Sequence, residues 1–407
     1  MRLDSFTKNS LIIFVASGVG SFLNFLYQWI IIRLLTPEAF ASLSSLLSLL
    51  FIFILPFSAF TIMVTKHVST SRARQDQDCL RGDWQVLALH SLFFSTVIFL
   101  PFIFFPSAIA NFLHIGSSSS VVILGAIIFF SGVSSALTGG LQGLEKFKLI
   151  AALSLVAGIL KLVSPSVLFN FFPQLESALL GFLVALVFVI IISVPPILPL
   201  FKKGQKGTST RELYIYILPV LGASLIFLLL TNLDMILVKH FFSQQAQDYA
   251  VAQLFGKILI FLPGMIYAVM FARSSSLHAQ KQSSKNILKS TLFFTLIPGL
   301  LVSIIFNLFP ELVFSILAHR FNPQIIMLGR IFSFSMLIFA MVNTLFYYQL
   351  SVERFNFLLP SAFITAGAYL LLWFWHTNIL SFAGILFAAS ACVFIINLRS
   401  SLKVVSR

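Results

Sequence analysis

The chain has 407 residues, of which 59% are hydrophobic and only 9% are charged, and its formal net charge is +14. A soluble domain usually carries about a quarter of its residues as charged side chains, so this composition excludes an ordinary soluble protein and favours one that has lipid as its solvent. A basic balance is typical of nucleic-acid-binding proteins and also of the cytoplasmic loops of membrane proteins. Where the charges lie along the chain decides between these two interpretations.

Hydropathy predicts about twelve membrane spans, because a helix needs about 20 apolar residues to cross the hydrocarbon core of a bilayer. The predicted spans are residues 10–32, 43–65, 85–105, 121–143, 149–171, 178–200, 213–235, 249–271, 290–310, 325–349, 356–376 and 379–398. The hydrophilic stretches between them are too short for a soluble domain. The predicted fold class is therefore an all-α polytopic membrane protein with about 12 transmembrane helices.

The basic residues orient these spans. If the N-terminus is cytoplasmic, 20 of the 26 lysines and arginines fall in loops on that side, whereas the opposite loops hold only Arg33, Lys239 and Arg320. This asymmetry is the one that the positive-inside rule describes. The sequence therefore predicts a multi-pass protein of the plasma (inner) membrane with both termini in the cytoplasm, and it disfavours nucleic acid as a partner.

Two short patterns recur at an offset of about half the chain. The first pattern is a leucine-proline pair with a basic residue ten positions after the proline. It occurs at Leu55–Pro56 and again, 207 residues later, at Leu262–Pro263. The Glu-Lys-Phe turn that begins at Glu145 returns as Glu-Arg-Phe at Glu353, 208 residues later. Coincidence between similar apolar segments is the alternative explanation.

An internal repeat of this length predicts two lobes of six spans each, residues 1–205 and 206–407. Because six is an even number, the lobes would be parallel repeats related by a pseudo-two-fold axis along the membrane normal. Two such lobes can rock around a central path, which is the basis of alternating access. The repeat therefore favours a transporter.

Three basic residues are predicted inside the membrane, where an ionised side chain costs about 2.5 to 3.5 kcal/mol. Lys161 lies near the middle of the fifth span, Lys257 lies within the eighth, and Arg330 lies near the outer end of the tenth. We predict that they line a cationic, substrate-binding cavity. For Lys257 and Arg330, snorkelling of the side chain to the headgroups is the alternative.

Polar residues of the first and seventh spans are further candidates for the cavity. Asn24 and Gln28 share one face of the first span, and Asn232 and Asp234 lie toward the outer end of the seventh. The amides could instead form hydrogen bonds along a helix-packing seam. Asp234 is the only acid predicted inside a span, and we expect either a charge pair with Lys257 or Lys239 or the binding of a coupling cation.

The excess of intramembrane bases over acids predicts an anionic substrate such as a phosphate or diphosphate. The sequence has no phosphate-binding loop, no zinc-binding His-Glu-x-x-His pair and no paired carboxylates on a predicted outer loop. We therefore predict no cofactor, no metal site, no catalytic residue and no enzymatic activity.

Three segments resemble a known family. Arg33 to Phe40 (RLLTPEAF), Gly140 to Lys148 (GLQGLEKFK) and Thr231 to Lys239 (TNLDMILVK), the last followed by Tyr249 and by Lys257, are similar to segments of oligosaccharide flippases of the polysaccharide transporter family. That family shares the two-lobed fold of multidrug and toxin extruders (MATE), so the resemblance implies a MATE-like fold.

The resemblance also implies a function, namely moving an undecaprenyl-diphosphate-linked oligosaccharide to the outer leaflet for O-antigen, capsule or exopolysaccharide biosynthesis. The partners would then be the lipid-linked oligosaccharide, membrane lipids and polysaccharide polymerase or assembly proteins. Two alternatives remain. An ion-coupled multidrug extruder would need a membrane-embedded acid, and a membrane glycan polymerase or ligase would need a longer outer loop than this chain offers.

Overall fold

A computed structural model describes residues 5–204, 210–261, 264–318 and 322–404, and all the regular secondary structure in these ranges is helical. The helices of the first half are α1 (Ser5–Leu34), α2 (Pro37–Ala73), α3 (Gln77–Phe104), α4 (Pro106–Phe112), α5 (Ser118–Gly143), α6 (Phe147–Leu168) and α7 (Gln174–Ile197), which ends in a 3₁₀ turn, Leu198–Phe201. The helices of the second half are α8 (Thr210–Leu228), α9 (Asp234–Phe241), α10 (Ala246–Phe261), α11 (Gly264–Ala279), α12 (Lys285–Leu308), α13 (Pro310–Ala318), α14 (Pro323–Ser351), α15 (Leu358–Phe374) and α16 (Ile379–Val404). A π-helical turn, Leu229–Leu233, joins α8 to α9.

Nine helices within the described residues are long and apolar enough to cross a membrane. Their bounds are Pro37–Ala73, Gln77–Phe104, Ser118–Gly143, Phe147–Leu168, Gln174–Phe201, Ile217–Phe241, Lys285–Leu308, Pro323–Ser351 and Ile379–Ser401. Two shorter apolar helical stretches, Phe22–Leu34 within α1 and Leu358–Phe374, overlap the first and eleventh predicted spans. The prediction of an all-α polytopic membrane protein is confirmed, and the count of twelve crossings stays a prediction.

The chain divides into two compact units, Met1–Ile217 and Leu218–Arg407. In the first unit, α5 packs against α2, α3 and α7, while α6 packs against α1 and α7. In the second unit, α14 packs against α10, α11, α12 and α16, and α15 packs against α16. The predicted lobe boundary between residues 205 and 206 lies outside the described residues, as does Leu262–Pro263, and the lobe boundary stays a prediction.

The seventh span ends later than the sequence predicts. Hydropathy places its end at residue 235, but the helix continues through α9 to Phe241, so Lys239 lies inside a helix and its exposed fraction is only 1%. The prediction that Lys239 lies in an outer loop is therefore wrong. The four buried apolar residues from Met235 to Val238 supply the surface that holds this last stretch in the fold.

Buried acids other than Asp234 also occur within helices, contrary to the prediction. Asp83 lies in the second turn of α3 and contacts His67 of α2, with 3.1 Å between Nδ1 and Oδ2. Glu176 lies in the first turn of α7, is 6% exposed and accepts hydrogen bonds from three serines, Ser117, Ser119 and Ser120. Both helices begin before the apolar window, so hydropathy assigned their opening turns to loops.

The repeated turns share one backbone geometry. Glu145 and Glu353 both adopt a left-handed conformation, with φ of 58° and 54°. At each turn, the glutamate N–H donates to the carbonyl three residues back, and the next N–H donates to the carbonyl five residues back. These are the two hydrogen bonds of a Schellman motif, which ends a helix. Helices that end at Gln75, His114 and Lys281 use the same motif, so it agrees with the predicted repeat but is not specific to it.

Candidate functional site

Five of the seven sequence-predicted site residues form two groups of contacts, one inside each unit. In the first unit the group is centred on Lys161 of α6, and in the second unit it is centred on Asn232 and Asp234 beside the π-helical turn. We call them the Lys161 group and the Asp234 group.

The Lys161 group consists of one cation, one amide and two aromatic rings. Lys161 Nζ donates a hydrogen bond to Asn24 Oδ1 of α1. The same nitrogen lies 4.9 Å from the ring centre of Tyr27 and 4.6 Å from that of Phe182. The two rings meet edge to face at 5.0 Å, so they form a corner into which the ammonium projects.

Two glycines allow the helices of this group to approach closely. A Cβ atom at Gly158 of α6 would lie 2.6 Å from Leu23 Cδ1 of α1, and one at Gly181 of α7 would lie 2.7 Å from Pro165 Cγ of α6. Small residues at such positions let membrane helices pack backbone to backbone. Because Gly158 lies three residues before Lys161, the close approach of α1 at this level brings Asn24 within reach of the ammonium.

Every described contact of the Lys161 ammonium is with a neutral group. An amide oxygen and two ring faces stabilise the positive charge without neutralising it, and cation–π contacts contribute about 0.5 to 2 kcal/mol each. The side chain is half-buried. The Lys161 group therefore keeps a net positive charge that an anionic ligand can neutralise.

The Asp234 group is built on the π-helical turn, a distortion that often occurs at functional sites. Within the turn, Asn232 Nδ2 donates to the Leu228 carbonyl at 3.2 Å, and Tyr369 of α15 donates its hydroxyl to the Leu229 carbonyl at 2.7 Å. Lys257 Nζ of α10 donates to Asn232 Oδ1 at 3.1 Å. The turn thus orients an amide oxygen toward the lysine.

Asp234 is held by two neutral donors of α10. Its Oδ2 accepts hydrogen bonds from the Tyr249 hydroxyl at 2.9 Å and from Gln253 Nε2 at 2.7 Å. Its Oδ1 is buried and has no hydrogen-bond partner among the described residues. A buried carboxylate oxygen without a donor is costly, so such an atom calls for an explanation.

The predicted charge pair between Asp234 and Lys257 is not a direct contact among the described residues. The ammonium bonds to Asn232, and the carboxylate bonds to Tyr249 and Gln253. The interpretation of Asp234 as one member of a pair or as a cation ligand stays a prediction.

The remaining predicted residues lie outside these contacts. Gln28 is half-buried one turn beyond Asn24, and among the described residues it has no hydrogen bond to Lys161. Arg330 is exposed in the second turn of α14. Its backbone carbonyl accepts a hydrogen bond from the Ser333 hydroxyl, and no hydrogen bond of its side chain is described. Whether their side chains line a cavity stays a prediction.

Sequence reasoning missed Gln253 and the aromatic partners of Lys161. A signal for Gln253 was present, because Tyr249, Gln253 and Lys257 follow one another at four-residue intervals and so share one face of α10. Tyr27 and Phe182 gave no comparable signal in a chain with 48 phenylalanines.

A sequence profile described as "Polysaccharide biosynthesis protein" matches residues 6–274, which is more than half of the chain. The chain belongs to this family. No curated protein gives a significant match to the sequence of this polysaccharide biosynthesis protein.

Several solved transporter structures share the fold. An inward-facing multidrug resistance MATE family transporter of the MOP superfamily is 13% identical with a TM-score of 0.73, covering 94% of this chain and 93% of that chain. The lipid II flippase MurJ in an inward closed conformation is 13% identical with a TM-score of 0.71, covering 96% and 87%. A MOP superfamily transporter from Pyrococcus furiosus is 13% identical with a TM-score of 0.66, covering 98% and 95%.

At these identities the structural matches show the fold. This polysaccharide biosynthesis protein is a multi-pass membrane protein with a MATE-like fold, as the sequence predicted.

Proposed function

We propose that the protein flips a lipid-diphosphate-linked oligosaccharide across the plasma membrane by alternating access, for cell-surface polysaccharide biosynthesis. Membership in the polysaccharide biosynthesis family supports the pathway, and a fold shared with a protein described as a lipid II flippase supports the mode of transport. The observation that carries the proposal is the Lys161 ammonium, which is surrounded by neutral groups in a predicted membrane span.

The chemistry of the Lys161 group suits a diphosphate. Keeping a lysine ionised within the bilayer costs about 2.5 to 3.5 kcal/mol, and Asn24 and the two rings offset this cost with dipoles and ring faces rather than with an opposite charge. An entering diphosphate would supply the missing negative charge, and lysine binds phosphate as a point charge that tolerates movement of the ligand. The positive charge of Lys161, which costs free energy within the bilayer, would thus favour binding of the anionic substrate.

The test is export of surface polysaccharide in cells that lack the native transporter. We expect Lys161→Ala to abolish export at normal membrane levels and Lys161→Arg to retain part of it, because Arg keeps the charge but changes the geometry. The matched control is Lys148→Ala, which removes an exposed lysine from the first turn of the same helix and should leave export unchanged. Full export by Lys161→Ala would refute the cationic mechanism.

A second function, ion-coupled extrusion of cationic drugs, is favoured by one observation. The Oδ1 atom of Asp234 is a buried carboxylate oxygen with no donor among the described residues, and a carboxylate oxygen can bind a cation. One of the structures that shares the fold is described as a MATE multidrug transporter. As a component of the flippase proposal, the same oxygen would bind a coupling cation.

Asp234→Asn separates the two functions. It keeps the shape of the side chain and removes its charge, so a drug extruder should lose resistance to cationic drugs, whereas a flippase should show no change in drug resistance. Reduced polysaccharide export by the same variant, with unchanged resistance, would assign Asp234 to ion coupling of the flippase. A loss of resistance would instead support drug extrusion, and the flippase proposal is overturned if the unmodified chain fails to restore polysaccharide export.

The proposed orientation places both termini in the cytoplasm. In a Cys79→Ser and Cys392→Ser background, single cysteines at Gly116 and Lys148 would report the two sides. A membrane-impermeant maleimide added to intact cells should label the Gly116→Cys variant and leave the Lys148→Cys variant unlabelled. The reverse pattern would invert the topology.

A further inference from the structure

A second candidate ligand-binding site lies in the first unit, and it shares no residue with the Lys161 group. A groove of about 550 Å³ is lined by residues that include Trp84, Ala88, Leu92, Leu137, Phe201 and Lys203. We call it the Trp84 groove. Its walls come from α3, from α5 and from the 3₁₀ turn that ends α7, and they are almost entirely apolar.

The groove has one apolar end and one basic end. Leu89 and Leu92 of α3 line its wall, and both are among the exposed large hydrophobic residues. Lys203 lies two residues beyond the end of the span Gln174–Phe201, where a chain leaves the hydrocarbon for the headgroup layer. The groove therefore runs from an exposed apolar helix surface to a cation near the end of the span.

The backbone on either side of Lys203 is held against α3. Gln85 Nε2 donates to the carbonyls of Leu200 at 3.1 Å and Lys202 at 2.8 Å. On the other side, a Cβ atom at Gly204 would lie 2.5 Å from Arg81 Cβ, so the chain there packs directly on α3. The lysine is thus held at the mouth of the groove, although its side chain is exposed.

The aromatic wall of the groove is equally fixed. Trp84 Nε1 donates to the Ala136 carbonyl of α5 at 3.2 Å, which satisfies the one polar atom of the indole. The Trp84 and Phe201 rings meet at 4.8 Å between centres. With its N–H satisfied, Trp84 presents an apolar face to the groove.

We propose that the Trp84 groove binds one anionic phospholipid, with an acyl chain against Trp84 and Leu92 and the phosphate at Lys203. Charge complementarity supports this occupant, because a basic pocket beside membrane helices suits an anionic lipid headgroup. The positive-inside pattern places Lys203 in the leaflet that carries such lipids.

The groove, with a volume of about 550 Å³, has room for part of a lipid chain, and the rest of the chain would extend along the exposed helix surface beside it. A polyprenyl phosphate also combines an apolar chain with an anionic headgroup, so its separate titration is what distinguishes it from a phospholipid. The inference depends on the membrane location and on the predicted cytoplasmic placement of Lys203, and it stands or falls separately from the proposed transport function.

Native mass spectrometry of the purified full chain tests the site. Phosphatidylglycerol, phosphatidylcholine, a polyprenyl phosphate and inorganic phosphate are titrated separately. We expect one phosphatidylglycerol to bind in preference to the other three. Lys203→Ala should weaken the binding of phosphatidylglycerol about fivefold, as expected for one lysine at an anionic headgroup, and should weaken phosphatidylcholine less because choline balances the charge of its phosphate.

Two further variants isolate the groove. Ala88→Phe should fill it and remove binding of both phospholipids, and Lys148→Ala, outside the groove, should bind phosphatidylglycerol like the unmodified chain. Equal binding of the two phospholipids, tighter binding of polyprenyl phosphate, complete competition by inorganic phosphate, or equal behaviour of Lys203→Ala and Lys148→Ala would each overturn the proposal. Because Lys203→Ala changes an exposed side chain, this comparison does not depend on the folding of Ala88→Phe.

Discussion

The Lys161 group and the Asp234 group each contain an asparagine at the same position of the predicted repeat, but the two groups differ in charge. Asn24 and Asn232 are 208 residues apart, the offset of the repeated turns, and each accepts a hydrogen bond from a lysine. In the first unit the lysine comes from α6 and is accompanied by aromatic rings. In the second unit it comes from α10, one turn from residues that hold a buried carboxylate.

Within the predicted repeat, the contrast indicates that the two units share a position for an amide but not the charge around it. An amide at the same position of each unit accepts from a lysine, while the surrounding residues make one group cationic and give the other an acid. A division between substrate binding in one unit and charge coupling in the other follows from this contrast as a hypothesis, and the changes below are designed to remove or reverse it.

The largest effect is expected from placing an acid in the Lys161 group. Asn24→Asp would put a carboxylate in contact with the ammonium, and two opposite charges about 4 Å apart interact by about 4 kcal/mol at an effective dielectric constant of 20. The cation would then be neutralised before substrate arrives, and polysaccharide export should fall at least a hundredfold. Asn24→Ala removes the same hydrogen bond without adding charge, so an equal loss in both variants would show that charge is not the cause.

A smaller effect is expected from removing one donor to Asp234. Tyr249→Phe deletes a hydrogen bond to a buried carboxylate, which is worth about 2 kcal/mol, and should lower the thermal denaturation temperature in detergent. Tyr267→Phe is the matched control, since this buried tyrosine donates to a neutral carbonyl, that of Ala340 at 3.0 Å, and its loss should cost about half as much. Equal shifts would mean that the Asp234 contact is no stronger than an ordinary one.

The smallest effect is expected from removing one ring beside Lys161. Phe182→Leu keeps an apolar side chain but loses a cation–π contact worth about 0.5 to 1 kcal/mol, so the export rate should fall about two- to fivefold. Phe182→Tyr keeps the ring face and should restore the rate. If Phe182→Tyr fails as badly as Phe182→Leu, packing of this position rather than the ring face matters.

Patterns that depend on one helix at a time were predictable from the sequence. Apolar runs located the helices, and the depth of Lys161 in its run identified it as a candidate before its neighbours were known. The contacts between helices were not predictable in the same way, because a hydropathy profile does not say how each helix is rotated. Tyr27 and Phe182 are therefore visible only in the structure.

The ends of helices were the least predictable part. Asp83 and Glu176 lie in opening turns that precede the apolar windows, and the π-helical turn at Leu229–Leu233 has no sequence signature comparable to a proline or a glycine. Hydropathy measures the fit to hydrocarbon, whereas a helix continues as long as its backbone hydrogen bonds and packing allow. The burial of Lys239 has the same origin.

The left-handed turns at Glu145 and Glu353 are positions at which a substitution could raise the stability of the protein. Helices commonly end with glycine at this position, because glycine adopts positive φ without the steric penalty of a Cβ atom, and that penalty is about 1 to 2 kcal/mol for other residues. Neither turn uses glycine. Each unit therefore has a turn at which a glycine substitution could raise its stability, so one half of the protein could be stabilised while the other is left unchanged.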